Sequence, residues 1–333
     1  MRVDVTRSGA VILGSQTACD GHEEGIPLRV VTHAHYDHLL GLERSLKECT
    51  SVVMTEATKE LLEVLRGPYK LRSGNVVTLR YEEPLQIGDE NVTLYYADHI
   101  LGSAQVLVED SSGERLLYTG DFKYPGTPVI DADVLVMEAT YGDPGQTRPF
   151  QGFVKSLLVS LVERSLQAGP VYIFGYHGKL QEVMQILFDA EIWTPFILPK
   201  RVLQVTKVCE KHGMRVGDYI PSDSEEAREL IRRRQPYVAF YHMNSRSRVG
   251  VDATRIYVSG WEFERAVRRI SDREYVVALS DHADFQGLIS YVKECKPKMV
   301  ITDNYRVGSA TALAKEIRRR LGIPAKPLPK PVR

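Results

Sequence analysis

Residues 30 to 38 read VVTHAHYDH, an apolar run that ends in His33, His35, Asp37 and His38. Imidazoles and carboxylates this crowded are costly to bury unless something pairs with them, and a metal ion suits their chemistry. In an extended segment His33 and His35 point the same way, while Asp37 and His38 follow in the turn and can face a second ion. Four more positions fit: His99 in ADHILGSA, Asp121 in LYTGDF, Glu138 at the end of VLVME, and His282 in SDHADF, each just past an apolar run. Ligand counting gives one ion His33, His35 and His99 and the other Asp37, His38 and His282, with Asp121 bridging. Three protein ligands and a shared carboxylate leave room on each ion for a common water, the open position of a catalytic site. Two such ions ~3.5–4 Å apart lower that water's pKa towards neutrality and neutralise charge on a phosphoryl oxygen. That is hydrolase chemistry, with Asp37, Asp121, Glu138 and His282 as its catalytic carboxylates and imidazole. Glu138 and Asp98 are also placed to accept the outer N–H of a ligating ring.

The elements that must position these groups follow from periodicity. Residues 1 to 32 alternate as short strands do, with turns at Ser8-Gly9 and Asp20-Gly21, and lead into a strand from Leu28. Leu39 to Lys47 reads as a helix. Another begins after Thr55, a plausible N-cap, and stops at Gly67-Pro68. Strands are expected at 75–81, 92–97, 104–109 and 115–119, the last just before Gly120, which lets the backbone approach closely at Asp121. From Val134 apolar strands alternate with helices at 152–168, 179–190 and 203–212, the pattern of a parallel αβ unit. Strands at 237–241 and 256–259 follow, and then Tyr275 to Ser280, a strand that ends in the His282 loop. A first core that lacks one ligand, supplied far along the chain, implies an insertion. The strand 299–302 and a helix at 310–321 complete that core, and the tail PAKPLPKPVR is expected to be exposed and loosely ordered.

The bulk numbers narrow the class. At 333 residues, 43% hydrophobic and 26% charged, the chain suits one large globular domain or two ordinary ones. Lys plus Arg and Asp plus Glu are equal at 43, which permits a polyanionic partner only through a local basic stripe. Cys19, Cys49, Cys209 and Cys295 are isolated, which argues against a cysteine zinc site and favours a reducing compartment. No run approaches a membrane span and MRVDVTRSGA has no apolar leader, so the expected location is the cytoplasm.

THAHYDH, ADHILGSA and TGDF, in this order, resemble the successive motifs of the metallo-β-lactamase fold. MEATYG at 137–142 resembles the acidic motif opening the β-CASP insertion of its nucleic-acid-processing branch, and GKLQE at 178–182 that branch's next helix start. SGW at 259–261 and LSDHADF at 279–285 are most similar to bacterial DNA-ligase-associated exonucleases and archaeal messenger-RNA 3′-end processing factors. The resemblance implies an αββα metallo-β-lactamase domain, residues 1–142 and 263–333, split by an α/β β-CASP domain at 143–262, with the site in the cleft between them. It implies two zinc ions on the ligands above, with manganese also suited to them. It further implies Glu138 paired with His282, Asp20 orienting the opening loop, and phosphodiester hydrolysis of RNA or single-stranded DNA by a metal-bridged hydroxide. A homodimer or a processing or repair complex fits the same reading.

The resemblance has one departure. After the strand KMVIT, RNA-processing members carry histidine and cross-link-repair nucleases valine, whereas this chain has Asp303, so the leaving group's proton donor stays open. Lys179 and Ser280 are the expected substrate contacts, joined by His177; Arg265, Arg268, Arg269, Lys200 and Arg201 suit either a basic groove between the domains or solvated helix faces. Arg232 to Arg234 reads as a surface charge run, and His22, His212 and His242 as non-ligands. Two rival readings are a catalytically silent nucleic-acid-binding subunit, which would lack ligands that this chain has, and a hydrolase of a small ester or lactam, which has no need of the inserted domain.

Overall fold

A computed structural model describes residues 1–67, 74–233, 235–250 and 252–331; Pro68, Arg234 and the last two residues of the tail, on which expectations fell, lie outside them. The chain divides into two compact units, residues 1–147 with 281–333, and residues 148–280.

The first unit begins with strands β1 (Val3–Val5), β2 (Val11–Leu13), β3 (Thr17–Cys19) and β4 (Leu28–Val30), helix α1 (Leu42–Glu48), β5 (Ser51–Met54), α2 (Glu56–Arg66) and β6 (Val76–Thr78), the strands forming one sheet in chain order. A second sheet holds β7 (Pro84–Ile87), β8 (Glu90–Tyr96), β9 (Ala104–Asp110), β10 (Arg115–Tyr118) and β11 (Val134–Met137). Alternation along these strands explains the layers. Val106, Val108, Leu116, Tyr118 and Val136 face Val11, Leu13, Val30 and Val53 of the first sheet, while Leu107, Leu117, Leu135 and Met137 face the other way.

The second unit contains α3 (Val154–Leu166), β12 (Val171–Gly175), α4 (Lys179–Asp189), β13 (Phe196–Leu198), α5 (Lys200–Lys211), β14 (Tyr219–Pro221), α6 (Glu225–Arg232), β15 (Val238–His242), β16 (Thr254–Val258), β17 (Val267–Ser271) and β18 (Glu274–Val277). Its sheet runs β14-β13-β15-β12-β16-β18-β17, parallel except at the β17–β18 edge. Leu158, Val162, Leu180, Met184 and Val202 pack α3, α4 and α5 on Ile173, Phe240 and Ile256, and Ala227 of α6 covers the opposite face near Ile197 and Ala239.

The chain then returns with α7 (Phe285–Cys295), β19 (Met299–Asp303), α8 (Ala310–Leu321) and β20 (Ala325–Leu328), and β19 pairs in parallel with β11. Phe285, Leu288, Val292, Leu313 and Ile317 cover the outer face of the second sheet, giving the αββα layering. Two differences from expectation have physical reasons. The return to the first core falls at Asp281 and not at 263, because β18 pairs with β16 inside the second unit's sheet. The tail is not loose throughout: Ala325 to Leu328 pair with Val300 to Asp303 as an edge strand, where proline costs no needed N–H.

Candidate metal centre

Thr32 and His33 follow the C-terminal end of β4, an interior strand of the first sheet, and a single 3-10 turn at Tyr36–His38 presents Asp37 and His38. His99 follows β8, Asp121 follows β10, and Glu138 follows β11. At Gly120, φ is +55° and an added Cβ would lie 3.0 Å from the Ala104 carbonyl oxygen, so glycine is required for the approach at Asp121. Thr55 caps α2 and, with Thr58, donates to the Gly102 carbonyl, which ties that helix to the His99 loop. Asp284 caps α7 through the Gly287 N–H, and the Ala283 N–H donates to the Phe122 carbonyl, placing His282 beside Asp121.

His33, His35, His99 and Asp121 converge, each offering a ligand atom within 4.8 Å of the others. His35 Nδ1 lies 3.2 Å from His33 Nε2 and 3.0 Å from His99 Nε2. Nitrogens about 2.0–2.1 Å from a tetrahedral zinc stand roughly 3.3 Å apart, so this spacing fits an ion. The outer nitrogens are fixed: His99 Nδ1–H donates to the Asp281 carbonyl at 2.8 Å, and Thr32 Oγ1, which donates to Asp20 at 2.6 Å, can accept from His33 Nδ1 at 3.1 Å. Burial pushes His99 down to about 3 and His33 well below the usual imidazole value, so both rings are neutral, the form a ligand needs.

The other half is arranged around carboxylates. Asp20 Oδ2 accepts from His38 Nδ1–H at 2.7 Å, leaving Nε2 buried without a hydrogen bond, 3.1 Å from Asp121 Oδ2 and 3.7 Å from Asp37 Oδ2. Glu138 accepts from His282 Nδ1–H at 2.9 Å and from the Phe122 N–H at 2.7 Å. Burial opposes charge on His38 and His282, but Asp121 and Asp20 raise His38 to about 10, and Glu138 and Asp121 raise His282 to about 9. A divalent cation can carry the positive charge those protons carry. Below these values each ring must give up a proton to ligate, so metal uptake here should tighten as pH rises towards them, which calorimetry in buffers of different ionisation enthalpy measures as proton release. Glu138→Gln should weaken metal binding about 10–100-fold, read by competition with a chelating dye.

Several residues escaped the sequence reading. Asp281 groups with His99 and His282 as a potential ligand. Arg29, fully buried, donates to the His38 and Leu40 carbonyls and so holds the turn. Asp303 is engaged by Arg306, whose second arm reaches the Gly9 and Asp20 carbonyls. The Asp98 carboxylate, expected to accept from a ligating ring, pairs with Lys123 at 3.5 Å. His22 bonds Ser45 and faces Glu48. In the second unit, Lys179 is the first residue of α4, whose motif glutamine accepts from the Gly178 N–H, and Ser280 is buried at the unit's end. Arg268 pairs with Glu262 and Arg269 with Asp272. Among the described residues no helix is long and apolar enough to cross a membrane.

Residues 16–158 match the beta-lactamase superfamily domain. A protein of Acidianus ambivalens described as an uncharacterized protein in the lig 3′ region is 43% identical over 138 residues, 41% of this chain and 99% of that one. A probable DNA ligase of Opitutus terrae is 28% identical over 306 residues, 87% of this chain and 28% of the ligase. Probable RNase MJ4 of Methanocaldococcus jannaschii is 28% identical over 211 residues, 54% of this chain and 49% of that protein. The chain thus spans less than half of these two longer relatives. A crystal structure of a protein of unknown function from Enterococcus faecalis V583 shares the fold, with TM-score 0.62 and 14% identity over 92% of this chain and 93% of that one. With its histidine trio and Asp121 gathered at the matched strand ends, the chain belongs to the metallo-β-lactamase superfamily.

Proposed function

We propose that the chain is a metal-dependent nuclease that hydrolyses phosphodiester bonds of RNA or single-stranded DNA. The carrying observation is the convergence of His33, His35, His99 and Asp121, with the Glu138–His282 pair beside Asp121. Two zinc ions bound there would supply an activated water and neutralise charge on a phosphoryl oxygen. The protein's own part is orientation. Asp20 and Glu138 fix the outer nitrogens of His38 and His282 and turn the remaining nitrogens to ligation, and Asp121 stands where both halves can share its carboxylate. Asp37, the exposed member, completes the half that holds His38.

Nucleic acid as substrate is supported by relatives named as a probable RNase and a probable DNA ligase. The ligase's matching segment lies within a longer protein, which favours work beside other strand-processing activities. Lys179 and Ser280 carry the proposed substrate contacts. The test is incubation of the zinc-loaded chain, and in parallel the manganese-loaded chain, with end-labelled single-stranded DNA and RNA, each with and without a 5′-phosphate. Cleavage to 5′-phosphate and 3′-hydroxyl products supports the proposal and reads polarity and sugar preference from one gel. No cleavage of any strand by metal-loaded protein overturns it.

A further inference from the structure

Tyr36 stands between His35 and Asp37, yet its side chain is left outside the fold at 70% exposure. The Arg66 guanidinium, at the end of α2, lies over the ring at 4.7 Å from its centroid. Leu39, Leu40, Leu46 and Leu62 continue from this pair as the floor of a groove of about 380 Å³, within the size range of small-molecule sites. An isolated exposed aromatic needs no explanation. This one is next in sequence to two metal-site residues, carries a cation on its face and opens onto an apolar floor.

We propose that Tyr36 is a stacking platform for a nucleobase next to the scissile bond, with Arg66 pairing a neighbouring phosphate. The proposal rests on the nucleic-acid reading above. Tyr36 is one Cα step of about 3.8 Å from Asp37, so the platform belongs to the same turn that presents Asp37 and His38. Every base has a π face, so the ring takes any of them, and guanidinium adds cation–π attraction and charge. A strand is the occupant that uses all three features: its base the ring, its phosphate Arg66, and its next linkage the metal ligands. A protein segment would use only the leucines.

The zinc-loaded chain is assayed on labelled ten-nucleotide DNA and RNA strands, on the same strands with abasic residues flanking the cleaved bond, and on bis(p-nitrophenyl) phosphate. Tyr36→Ala is expected to raise KM for base-bearing strands about tenfold or more and to erase their advantage over abasic ones, whereas Tyr36→Phe keeps both. Arg66→Gln should lower the salt dependence of log KM by about 0.7, one phosphate contact on a single strand. The platform is overturned if Tyr36→Ala retains the base-bearing advantage, or if its KM change comes with loss of metal, which would make the ring a prop for the ligand loop. An unmutated chain that hydrolyses only the small diester overturns the nucleic-acid reading itself, whereas strand cleavage with an indifferent Tyr36→Ala overturns the platform alone.

Discussion

Asp121→Ala is expected to abolish stable metal binding in both halves of the centre and to lower phosphodiester cleavage by roughly a thousandfold or more. Asp121 Oδ2 lies 3.1 Å from His38 Nε2, 3.7 Å from His33 Nε2 and 3.9 Å from His99 Nε2, so one oxygen serves rings from both ligand sets. The residue also joins Glu138 and His282 in a second ligand grouping. Burial opposes its charge, but His38 and then His282 and His33 hold the carboxyl well below its usual range. Alanine removes the one anion that both ligand sets share. Metal content by mass spectrometry and cleavage rate are measured on the same preparation. Full cleavage by a metal-free Asp121→Ala protein overturns the assignment; Asp121→Asn, which keeps the shape and loses the charge, should fall close to alanine.

The clustering of the candidate site residues was legible in the sequence because their chemistry is local: an ionisable residue just after an apolar run is at a strand end whatever the sheet order. His33, His35, His99, Asp121, Glu138 and His282 needed only that rule and a count. The groups that hold them were not legible in the same way. Arg29 reads as one charge inside LRVV, and its partners are main-chain carbonyls of His38 and Leu40, which no side-chain pattern marks. Arg306 acts on Gly9 and Asp20, nearly the full chain away. Boundaries failed for a different reason. EYVV at 274–277 suits any buried parallel strand, and only pairing with β16 assigns it to the second unit. Prolines hid β20, since an edge strand tolerates them and a central one does not.

Breaking the Asp303–Arg306 pair is expected to cost about 3–5 kcal/mol of stability from either side. The Arg306 Nη1 to Asp303 Oδ2 distance is 2.5 Å and the side chains are 7% and 1% exposed, so either group left alone is a buried charge without its partner. Asp303→Ala and Arg306→Met should each lower the denaturant midpoint strongly, and the double variant should lose much less than their sum, because it buries no orphaned charge. The loss should also reach the metal centre unevenly. Asp20 has φ of +54°, a left-handed conformation costly for aspartate, and its carbonyl is gripped by Arg306 while its carboxylate orients His38 and Thr32. Releasing that grip frees Asp20 to relax and should weaken the ion on His38 more than the ion on His33, His35 and His99. Stepwise metal titration of Arg306→Met tests this: selective loss of one of two binding steps is expected, and equal weakening of both would mean that the pair stabilises the fold without positioning His38.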